Sequence, residues 1–464
     1  MPPKVRQLTK ELMVMKEGKL YRRNFLTVAG GVGAGASVTA FPAAAAVPAA
    51  NRAGEFNVLD FGAQGDGKTD NTSSFQKALE AAGEIGGVVR VPPGQFRFDG
   101  RLSIPQGAAL EGSWRGPHWP DVRKGTMLLV YAGRDQEDSD PFVTMAEEST
   151  LKGLSFYYPE QKVKEVHPYP WTVSVRGSRI NVIDVAMAYT YNGLDCGTHY
   201  NGAHLLRNIN MGALRRGVFV DKVSDIGRME NIHIHDGDLS YTNRQLRDSE
   251  KVDFGRYTVA NLEGFIIGRC DWSYMLDCFV VAAKVGFRFV PAKDPGQAPA
   301  ANILITQSGS DLGPVGVKIE KVQDHAGIAF ENCQFMNSIE IDETNTGPLK
   351  LVNCGFWGQC RTGRVILNKG TGEVMLTACH FSAWEDQNKP YKWDPEIPFI
   401  ECENGSLIMT ACVFKDYGHT PKSHVRLGPN ASAVLMGNMV QGGKLSLDNQ
   451  SKGDVQVFGT VSKA

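Results

Sequence analysis

Four aspartates lie where the sequence could support acid–base chemistry on a sugar: Asp195, Asp236, Asp238 and Asp271. Hydrolysis of a glycosidic bond generally requires two carboxyl groups, one protonated and one ionised. Asp236 and Asp238 are two residues apart, so a strand extending from Ile232 would place both on one face. A carboxylate one or two strands away, at about 4.8 Å per strand, could also complete such a pair. The alternative for Asp236-Gly237-Asp238 is a turn whose side chains cap backbone amides.

Aromatic and hydrogen-bonding residues occur close to these aspartates in the sequence. Flat ring faces beside polar groups are what sugar rings bind. We expect glycan contacts from His199, Tyr200, Arg216, His233, His235, Tyr241 and Trp272. The pair Arg215-Arg216 could bind a uronate carboxylate or a sulfate in bidentate fashion. The alternatives are loops that pack on the scaffold through their aromatic residues and, for the arginines, a surface ion pair.

A metal site is the second kind of functional site that the sequence suggests. His233 and His235 alternate with isoleucines, which places both imidazoles on the outward face of a strand. With Asp236 and Asp238 they form the pattern His-x-His-Asp-x-Asp, which could hold a divalent cation. Two histidines without a third one nearby are a weak zinc signal. We therefore expect no metal and no cofactor, and we expect substrate contact or structural hydrogen bonding from the two histidines.

A loose internal repeat must position these residues. Its first element is Asn or a small residue followed by apolar, any and apolar residues, at 208–211, 231–234, 302–305, 332–335, 353–356, 378–381 and 411–414. Its second element begins with Gly instead, at 193–196, 217–220, 264–267, 286–289, 316–319 and 327–330. Such alternation is typical of short strands with one inward face. Stacked coils made of such strands bury a core that no single coil could bury.

The repeat predicts an all-β fold, a single-stranded right-handed parallel β-helix with a short N-terminal capping helix near 73–82. Cys333, Cys354, Cys379 and Cys412 share one inward position, so we expect a ladder of buried, unpaired thiols. The asparagines before them favour a ladder of amide side chains at a turn. A β-sandwich is the competing architecture, but it does not explain the recurring Asn-Cys-x-Phe.

The first 50 residues form a separate segment. Arg22-Arg23 precede a Gly/Ala-rich apolar run at 26–41 and the alanines at 43–46. This layout is typical of a cleaved twin-arginine export signal. A membrane anchor is the alternative, but the run is shorter than the roughly 20 apolar residues of a span. We expect a periplasmic or extracellular protein that has no stable membrane insertion after cleavage.

Composition sets further limits. The chain has 464 residues, a net charge of −1 and 42% hydrophobic residues. Because it has no excess of positive charge to attract a polyanion, we expect no nucleic-acid partner. We expect one β-helix domain over 51–464, with an N-terminal cap at 56–112. Site-bearing coils and loops then occupy 150–290, and C-terminal coils occupy 300–464.

The stretch from Asn57 to Glu111 resembles the N-terminal segment of the pectate-lyase-like superfamily, which is related to family 28 glycoside hydrolases. It contains Phe56-Asn57-Val58-Leu59-Asp60-Phe61-Gly62-Ala63, then Gly65-Asp66-Gly67-Lys68-Thr69-Asp70, and Val91-Pro92-Pro93-Gly94 after a helix and a strand. The resemblance implies a right-handed β-helix. The Asn-Thr-Asp, Asp-Asp, Gly-His-Gly and Arg-Ile-Lys motifs of the family 28 hydrolases are absent. Their catalytic residues therefore cannot be assigned here.

We expect a secreted polysaccharide-active enzyme, a glycoside hydrolase that uses paired aspartates on a polysaccharide or oligosaccharide. One alternative is a polysaccharide lyase acting on a uronate polymer. Another is a non-catalytic, tailspike-like glycan-binding β-helix. The oligomeric state stays open, and a homotrimer, which would place sites between chains, is one arrangement that the fold allows.

Overall fold

The computed structural model describes residues 54–114, 124–235, 249–293, 300–357, 363–384, 394–417, 421–441 and 444–463. The predicted export signal at 1–50 lies outside these residues. Two α-helices are described, α1 (Thr72–Gly83) and α2 (Ser249–Asn261), and a 3-10 turn spans Val58–Phe61. No helix in the described ranges is long and apolar enough to cross a membrane.

Short strands make up most of the remainder. The first strands are β1 (Glu55–Asn57), β2 (Asp66–Asp70), β3 (Val88–Arg90), β4 (Gly94–Phe98), β5 (Leu102–Ile104), β6 (Ala109–Glu111), β7 (Thr126–Val130), β8 (Val143–Ala146) and β9 (Thr150–Tyr157). The next are β10 (Trp171–Arg176), β11 (Asn181–Cys196), β12 (Leu205–Val220), β13 (Arg228–Ile234), β14 (Glu263–Ile267), β15 (Cys270–Leu276), β16 (Phe279–Val281), β17 (Val285–Phe289), β18 (Ala301–Thr306), β19 (Gly309–Asp311) and β20 (Val315–Ile319). The last are β21 (Ile328–Glu331), β22 (Gln334–Phe335), β23 (Ser338–Ile341), β24 (Leu349–Val352), β25 (Gly355–Trp357), β26 (Ile366–Asn368), β27 (Glu373–Thr377), β28 (His380–Trp384), β29 (Ile400–Thr410), β30 (Val413–Tyr417), β31 (Val425–Met436), β32 (Met439–Gln441), β33 (Leu447–Asn449), β34 (Val455–Phe458) and β35 (Val461–Lys463).

Each strand pairs in parallel with the strand one coil away, and the pairings form three sheets along the axis. Sheet A begins β1–β3–β6–β9 and continues through β15, β18, β21 and β24. Sheet B includes β16, β19, β22, β25 and β28. Sheet C includes β14, β17, β20, β23 and β26. The long strands β11 and β12 pass through all three sheets. The predicted right-handed parallel β-helix is confirmed, and the β-sandwich alternative is wrong.

The interior is filled by side chains that repeat from coil to coil. In sheet B, Phe335, Phe356, Phe381 and Phe414 stack in register, with ring centroids 4.8–5.4 Å apart. Each is almost fully buried. One inward column therefore holds like side chains in direct contact, as offset stacking of aromatic rings favours.

The corner between sheets A and B explains the Asn and Cys of the repeat. Asn332, Asn353, Ala378 and Ala411 all have φ between +51° and +55°, a left-handed conformation in which asparagine is enriched. The Nδ2 of Asn353 donates to the Oδ1 of Asn332 at 2.7 Å, so the predicted asparagine ladder is confirmed. The cysteines of the ladder follow these residues. They are buried and form no disulfide, as predicted.

The glycine element begins sheet C at five of its six positions. A Cβ on Gly217 would lie 2.4 Å from the carbonyl oxygen of Gly264 in the next coil, so the coils can approach this closely only with glycine. Gly327 is the sixth position, and it does not begin a strand of sheet C. It precedes β21 of sheet A and has a φ of +62°, so its role is a turn.

The N-terminal end of the core is covered by α1, which extends one residue beyond the predicted helix at each end. Phe75, Ala78, Leu79 and Ala82 are buried on its inner face. Larger insertions interrupt the coils between residues 124 and 293. They are the loops at 131–142 and 158–170 and the helix α2, which packs on β12.

Candidate active site

The corner between sheets B and C carries a column of side chains suited to ligand binding. Trp171, Asn192, Arg216 and Glu263 are register partners in four successive coils. Neighbouring coils are about 4.8 Å apart, so the column spans roughly 14 Å. With Glu137 from the loop at 131–142, and with Tyr191, Arg215 and Tyr257, these residues are termed the Arg216 cluster.

Arg216 is the centre of this cluster. Its Nη2 donates to Glu137 Oε1, and its guanidinium lies 5.2 Å from the centroid of the Trp171 ring. Trp171 in turn stacks on Phe219, with the ring planes 17° apart. The Nδ2 of Asn192 donates to the carbonyl oxygen of Tyr169 at 2.9 Å. Arg216 is thus held between the carboxylate of Glu137, from the loop at 131–142, and the ring of Trp171, from β10.

Two polar atoms of this cluster are buried without a hydrogen-bond partner. They are the Nε of Arg216, a donor, and the Oδ1 of Asn192, an acceptor. The two residues are register partners in adjacent coils. An unsatisfied buried polar atom destabilises a fold by about 1–3 kcal/mol, so a neighbouring donor and acceptor of this kind need an explanation.

Glu263 brings a second carboxylate to the cluster. It is buried, and Arg288 Nη1 donates to its Oε1 at 2.8 Å while Arg215 lies 3.9 Å from its Oε2. Burial, followed by the negative charge of Glu137, raises the pKa of the Tyr191 phenol. Burial likewise raises the pKa of Tyr257 on α2. Both phenols are therefore protonated at neutral pH and can donate a proton or a hydrogen bond.

Asp195 points outward from sheet C, as its sequence context predicts, but it is 2% exposed. Its Oδ2 accepts from Ser174 Oγ at 2.8 Å, and its Oδ1 accepts from the backbone N–H groups of Gly197 and Thr198. These contacts fix the turn after β11. They give the carboxylate a structural role and direct it away from the Arg216 cluster.

The corner between sheets C and A holds four other predicted residues. Asp271 accepts from Arg269 and from Gln323, each at 2.8 Å. Trp272 is 66% exposed, Tyr200 is 49% exposed, and His199 is exposed as well. The structure therefore separates these residues from Arg216, although the sequence analysis grouped them in one region.

The two histidines lie on the outer face of sheet B, with ring centroids 5.2 Å apart. His233 also contacts Phe279 edge to face. Across the ranges that the structure describes, no three His, Cys, Asp or Glu side chains are arranged to hold a metal ion. The predicted residues Asp236, Asp238 and Tyr241 lie outside those ranges.

Glu137, Asn192 and Glu263 of the Arg216 cluster were not predicted from the sequence. Glu137 is 79 residues from Arg216 in the chain and lies in a loop without periodicity. Asn192 and Glu263 each precede a glycine of the repeat by one residue, the position that Arg216 also occupies. That shared position is the signal from which the column could have been found.

A family model described as rhamnogalacturonase A/epimerase, pectate lyase-like, matches residues 55–167. The match covers 113 of the 464 residues, and these contain the N-terminal cap, the first coils and the loop that carries Glu137.

Individual relatives share only short stretches with this chain. Alginate lyase 7 of Azotobacter vinelandii is 47% identical over 57 residues, which are 12% of this chain and 7% of the relative. Exo-poly-alpha-D-galacturonosidase of Dickeya chrysanthemi is 40% identical over 75 residues, 15% of this chain and 12% of the relative. This chain thus spans a small part of the curated relatives that it matches.

Among solved structures, the N-terminal fragment of bacteriophage Phi29 gene product 12 superposes with a TM-score of 0.59 at 14% identity. The superposition covers 88% of this chain and 70% of the phage fragment. At this identity the similarity concerns the fold alone.

Proposed function

We propose that this chain is an exported polysaccharide-active enzyme that binds its glycan in the Arg216 cluster. The observation that carries the proposal is the unsatisfied pair of Arg216 Nε and Asn192 Oδ1 beside the Trp171 ring. A sugar hydroxyl is both donor and acceptor, so it can accept from the guanidinium and donate to the amide oxygen. A ring face next to such polar groups is the usual environment for a bound sugar.

The charge of the cluster favours hydrolysis over elimination. Glu137, Glu263 and Glu320 are balanced by Arg215, Arg216 and Arg288, which leaves no excess positive charge for the carboxylate of a uronate. Hydrolysis instead needs two carboxyl groups beside the scissile bond. In this proposal one of Glu137 and Glu263 protonates the leaving oxygen, and the other activates water or attacks the sugar. Asp236 and Asp238 stay predictions for the same reaction.

A polysaccharide lyase is the second candidate. The similarity to an alginate lyase over 57 residues favours it, and Arg216 could contact a uronate if Glu137 moved aside. Elimination also needs a base beside the uronate. The raised pKa values of Tyr191 and Tyr257 make these phenols proton donors, so they do not supply that base at neutral pH.

The test is a screen of the mature chain against neutral and uronate polysaccharides, with mass spectrometry of the products. Hydrolysis adds the mass of water at each cleavage, whereas elimination adds none and gives an unsaturated product that absorbs in the near ultraviolet. We expect the addition of water. Binding to a polymer without turnover of any polymer would contradict the enzymatic proposal and favour the non-catalytic alternative.

The site assignment is tested with Asn192→Ala and Arg216→Lys. Lysine keeps the charge but removes the guanidinium Nε. If the sugar hydroxyl lies between these two residues, each variant raises KM or lowers kcat by about 10-fold or more, as expected when a buried hydrogen bond to a charged group is lost. Asn181→Ala on sheet A, whose side chain donates to Thr150, is the matched control. Unchanged kinetics in both variants would contradict the assignment.

A further inference from the structure

Two insertions next to the Arg216 cluster occupy equivalent places in adjacent coils. The loop at 131–142 joins β7 to β8, and the loop at 158–170 joins β9 to β10. β7 pairs with β9 and β8 pairs with β10, so one loop lies beside the other along the axis. The first loop carries Glu137, and the second leads directly into Trp171. The contacts between the two loops therefore affect where the carboxylate of Glu137 lies.

His167 of the second loop links the two loops through its ring. Its Nδ1 lies 2.9 Å from Asp135 Oδ1, and its Nε2 lies 2.8 Å from Arg134 Nη2. Because arginine has no acceptor, Nε2 accepts from Arg134, and Nδ1 carries the proton that is donated to Asp135. Both ring nitrogens thus bind consecutive residues of the first loop. These three residues are termed the His167 bridge.

His167 is held firmly within its own loop. It is 8% exposed. Its backbone N–H donates to Gln161 Oε1 at 2.8 Å, and Gln161 Nε2 donates to its carbonyl oxygen at 2.7 Å. Farther along the same loop, the carbonyl oxygen of Tyr169 accepts from Asn192. The segment that carries His167 is therefore fixed both internally and against the Arg216 cluster.

The other side of the bridge fixes the turn that presents Glu137. The N–H of Gln136 donates to the carbonyl oxygen of Gly133, and the N–H of Ser139 donates to that of Gln136, each at 3.1 Å. Asp135 lies within the first of these turns and has a φ of +60°, a left-handed conformation that aspartate tolerates. The contact with His167 therefore holds the chain two residues before Glu137.

We infer that His167 is a positioning residue for Glu137, which acts through Asp135 and Arg134. This inference rests on the proposed function, in which Glu137 is one of the two reacting carboxyl groups. Both ring nitrogens of His167 are engaged by the bridge, so the imidazole is not itself the acid or the base. A displacement of a catalytic group by about 1 Å can reduce the rate by about 100-fold, so a contact that fixes the Glu137 turn matters for turnover.

The alternative for the His167 bridge is a role in stability alone. In that case the loss of His167 lowers the free energy of unfolding, and the folded protein keeps the kcat of wild type. A positioning role instead makes the effects of His167 and Glu137 non-additive, because a misplaced carboxylate and a missing one remove the same contribution to catalysis.

The experiment is a double-mutant cycle of His167→Ala and Glu137→Gln in the mature chain. Values of kcat and KM are measured on polygalacturonate, polymannuronate and mixed-linkage β-glucan from the products. His167→Asn is the conservative variant, because its amide N–H can replace Nδ1 as the donor to Asp135. His424→Ala is the matched control, since His424 is 3% exposed and its Nδ1 accepts from the backbone N–H of Ser446 in the C-terminal coils. Circular dichroism and urea denaturation verify the fold of each variant.

We expect His167→Ala to lower kcat by about 10- to 100-fold. KM should change by less than about threefold, because Asn192 and Arg216 still hold the sugar. In the Glu137→Gln background, His167→Ala should lower kcat by less than about twofold. His167→Asn should retain most of the wild-type kcat. Asp135→Ala should reproduce the loss, and because this side chain is 58% exposed, it keeps the test valid if His167→Ala does not fold.

His424→Ala should leave the kcat of the folded protein unchanged. A wild-type kcat in His167→Ala and Asp135→Ala, together with a loss in Glu137→Gln, would overturn this inference and leave the proposed function intact. Losses that multiply in the double variant would overturn it as well, since His167 would then act independently of Glu137. Wild-type protein that cleaves none of the polymers, or a Glu137→Gln variant with the kcat of wild type, would overturn the inference together with the proposed role of Glu137.

Discussion

Two regions of the β-helix are built from the same type of coil but differ in regularity and in role. In the regular region, residues 300–441, short strands alternate with tight corners, and like residues stack at each inward position. In the irregular region, residues 124–293, two long loops and α2 are inserted between strands. In the irregular region the carboxylate of Glu263 is buried and pairs with Arg288. The comparison indicates that the repeat supplies the support and the insertions supply the chemistry.

Buried polar atoms without a hydrogen bond occur in both regions, and the Oδ1 of Asn337 is an example in the regular region. At the regular A–B corner, Asn438 satisfies the N–H of Cys412 and the carbonyl oxygen of Met409. In the irregular region Asn192 Oδ1, His204 Nε2 and Arg216 Nε are buried without a hydrogen bond. Such atoms destabilise the folded chain. Their presence at the Arg216 cluster is consistent with a site that a ligand completes.

The largest expected effect is on turnover, and it is confined to the irregular region. Glu137→Gln and Glu263→Gln should each reduce kcat by about 10²–10⁴-fold, the usual contribution of a general acid or base. Glu340→Gln in the regular region is the control, because its carboxylate also faces a cation, Lys318, at 3.8 Å. Comparable losses in all three variants would show that the two regions do not differ in this respect.

The next effect is on stability, and it concerns the stacked rings of the regular region. Phe381→Ala removes one ring from the sheet B stack and should lower the free energy of unfolding by about 3–5 kcal/mol. Val352→Ala on the exposed face of β24 should change it by less than about 0.5 kcal/mol. Urea denaturation measures both. Turnover of the folded Phe381→Ala protein should equal that of wild type, and a loss of kcat would link the two regions.

Acid should act on the irregular region through His204. This side chain is fully buried, its Nδ1 donates to Asn201, and burial lowers its pKa to about 4. The unfolded chain takes up a proton near pH 6.5, so the stabilisation is present above that pH and is lost as the pH falls towards 4. We expect a loss of about 2 kcal/mol between pH 7 and pH 5. In His204→Gln this part of the pH dependence should disappear, and an identical pH profile in wild type and variant would refute the assignment.

The smallest effect concerns the A–B corner. Ala378 has a φ of +53°, a conformation that glycine adopts without strain. Ala378→Gly should therefore leave the free energy of unfolding unchanged or raise it by up to about 1 kcal/mol, despite the greater flexibility of the unfolded chain. Ala433→Gly, at a buried position within β31, should instead destabilise by about 0.5–1 kcal/mol. Equal destabilisation by both would argue against a specialised corner.

The sequence predicted the regular region well because each inward position recurs with the same residue type. The places of Asn353, Cys354 and Phe356 follow from the local sequence alone. Asn353 forms the corner, Cys354 fills the small inward site, and Phe356 joins the ring stack, all within four residues. The capping helix was predictable for the same reason. Its apolar face and its ends depend on adjacent residues.

The irregular region was less predictable because its contacts are long-range. The outward direction of Asp195 follows from alternation, but its hydrogen bond with Ser174 comes from another coil. The ion pair between Glu137 and Arg216 likewise joins a loop to a strand three coils farther along. Period-two alternation carries no information about which insertion covers which strand.

The most direct test of the central claim is the structure of the Glu137→Gln variant with an oligosaccharide of the preferred polymer bound and uncleaved. We predict a sugar hydroxyl between Arg216 Nε and Asn192 Oδ1, with the adjoining ring over Trp171. An oligosaccharide bound only elsewhere on the β-helix, with both atoms still unsatisfied, would contradict the assignment of the Arg216 cluster as the active site.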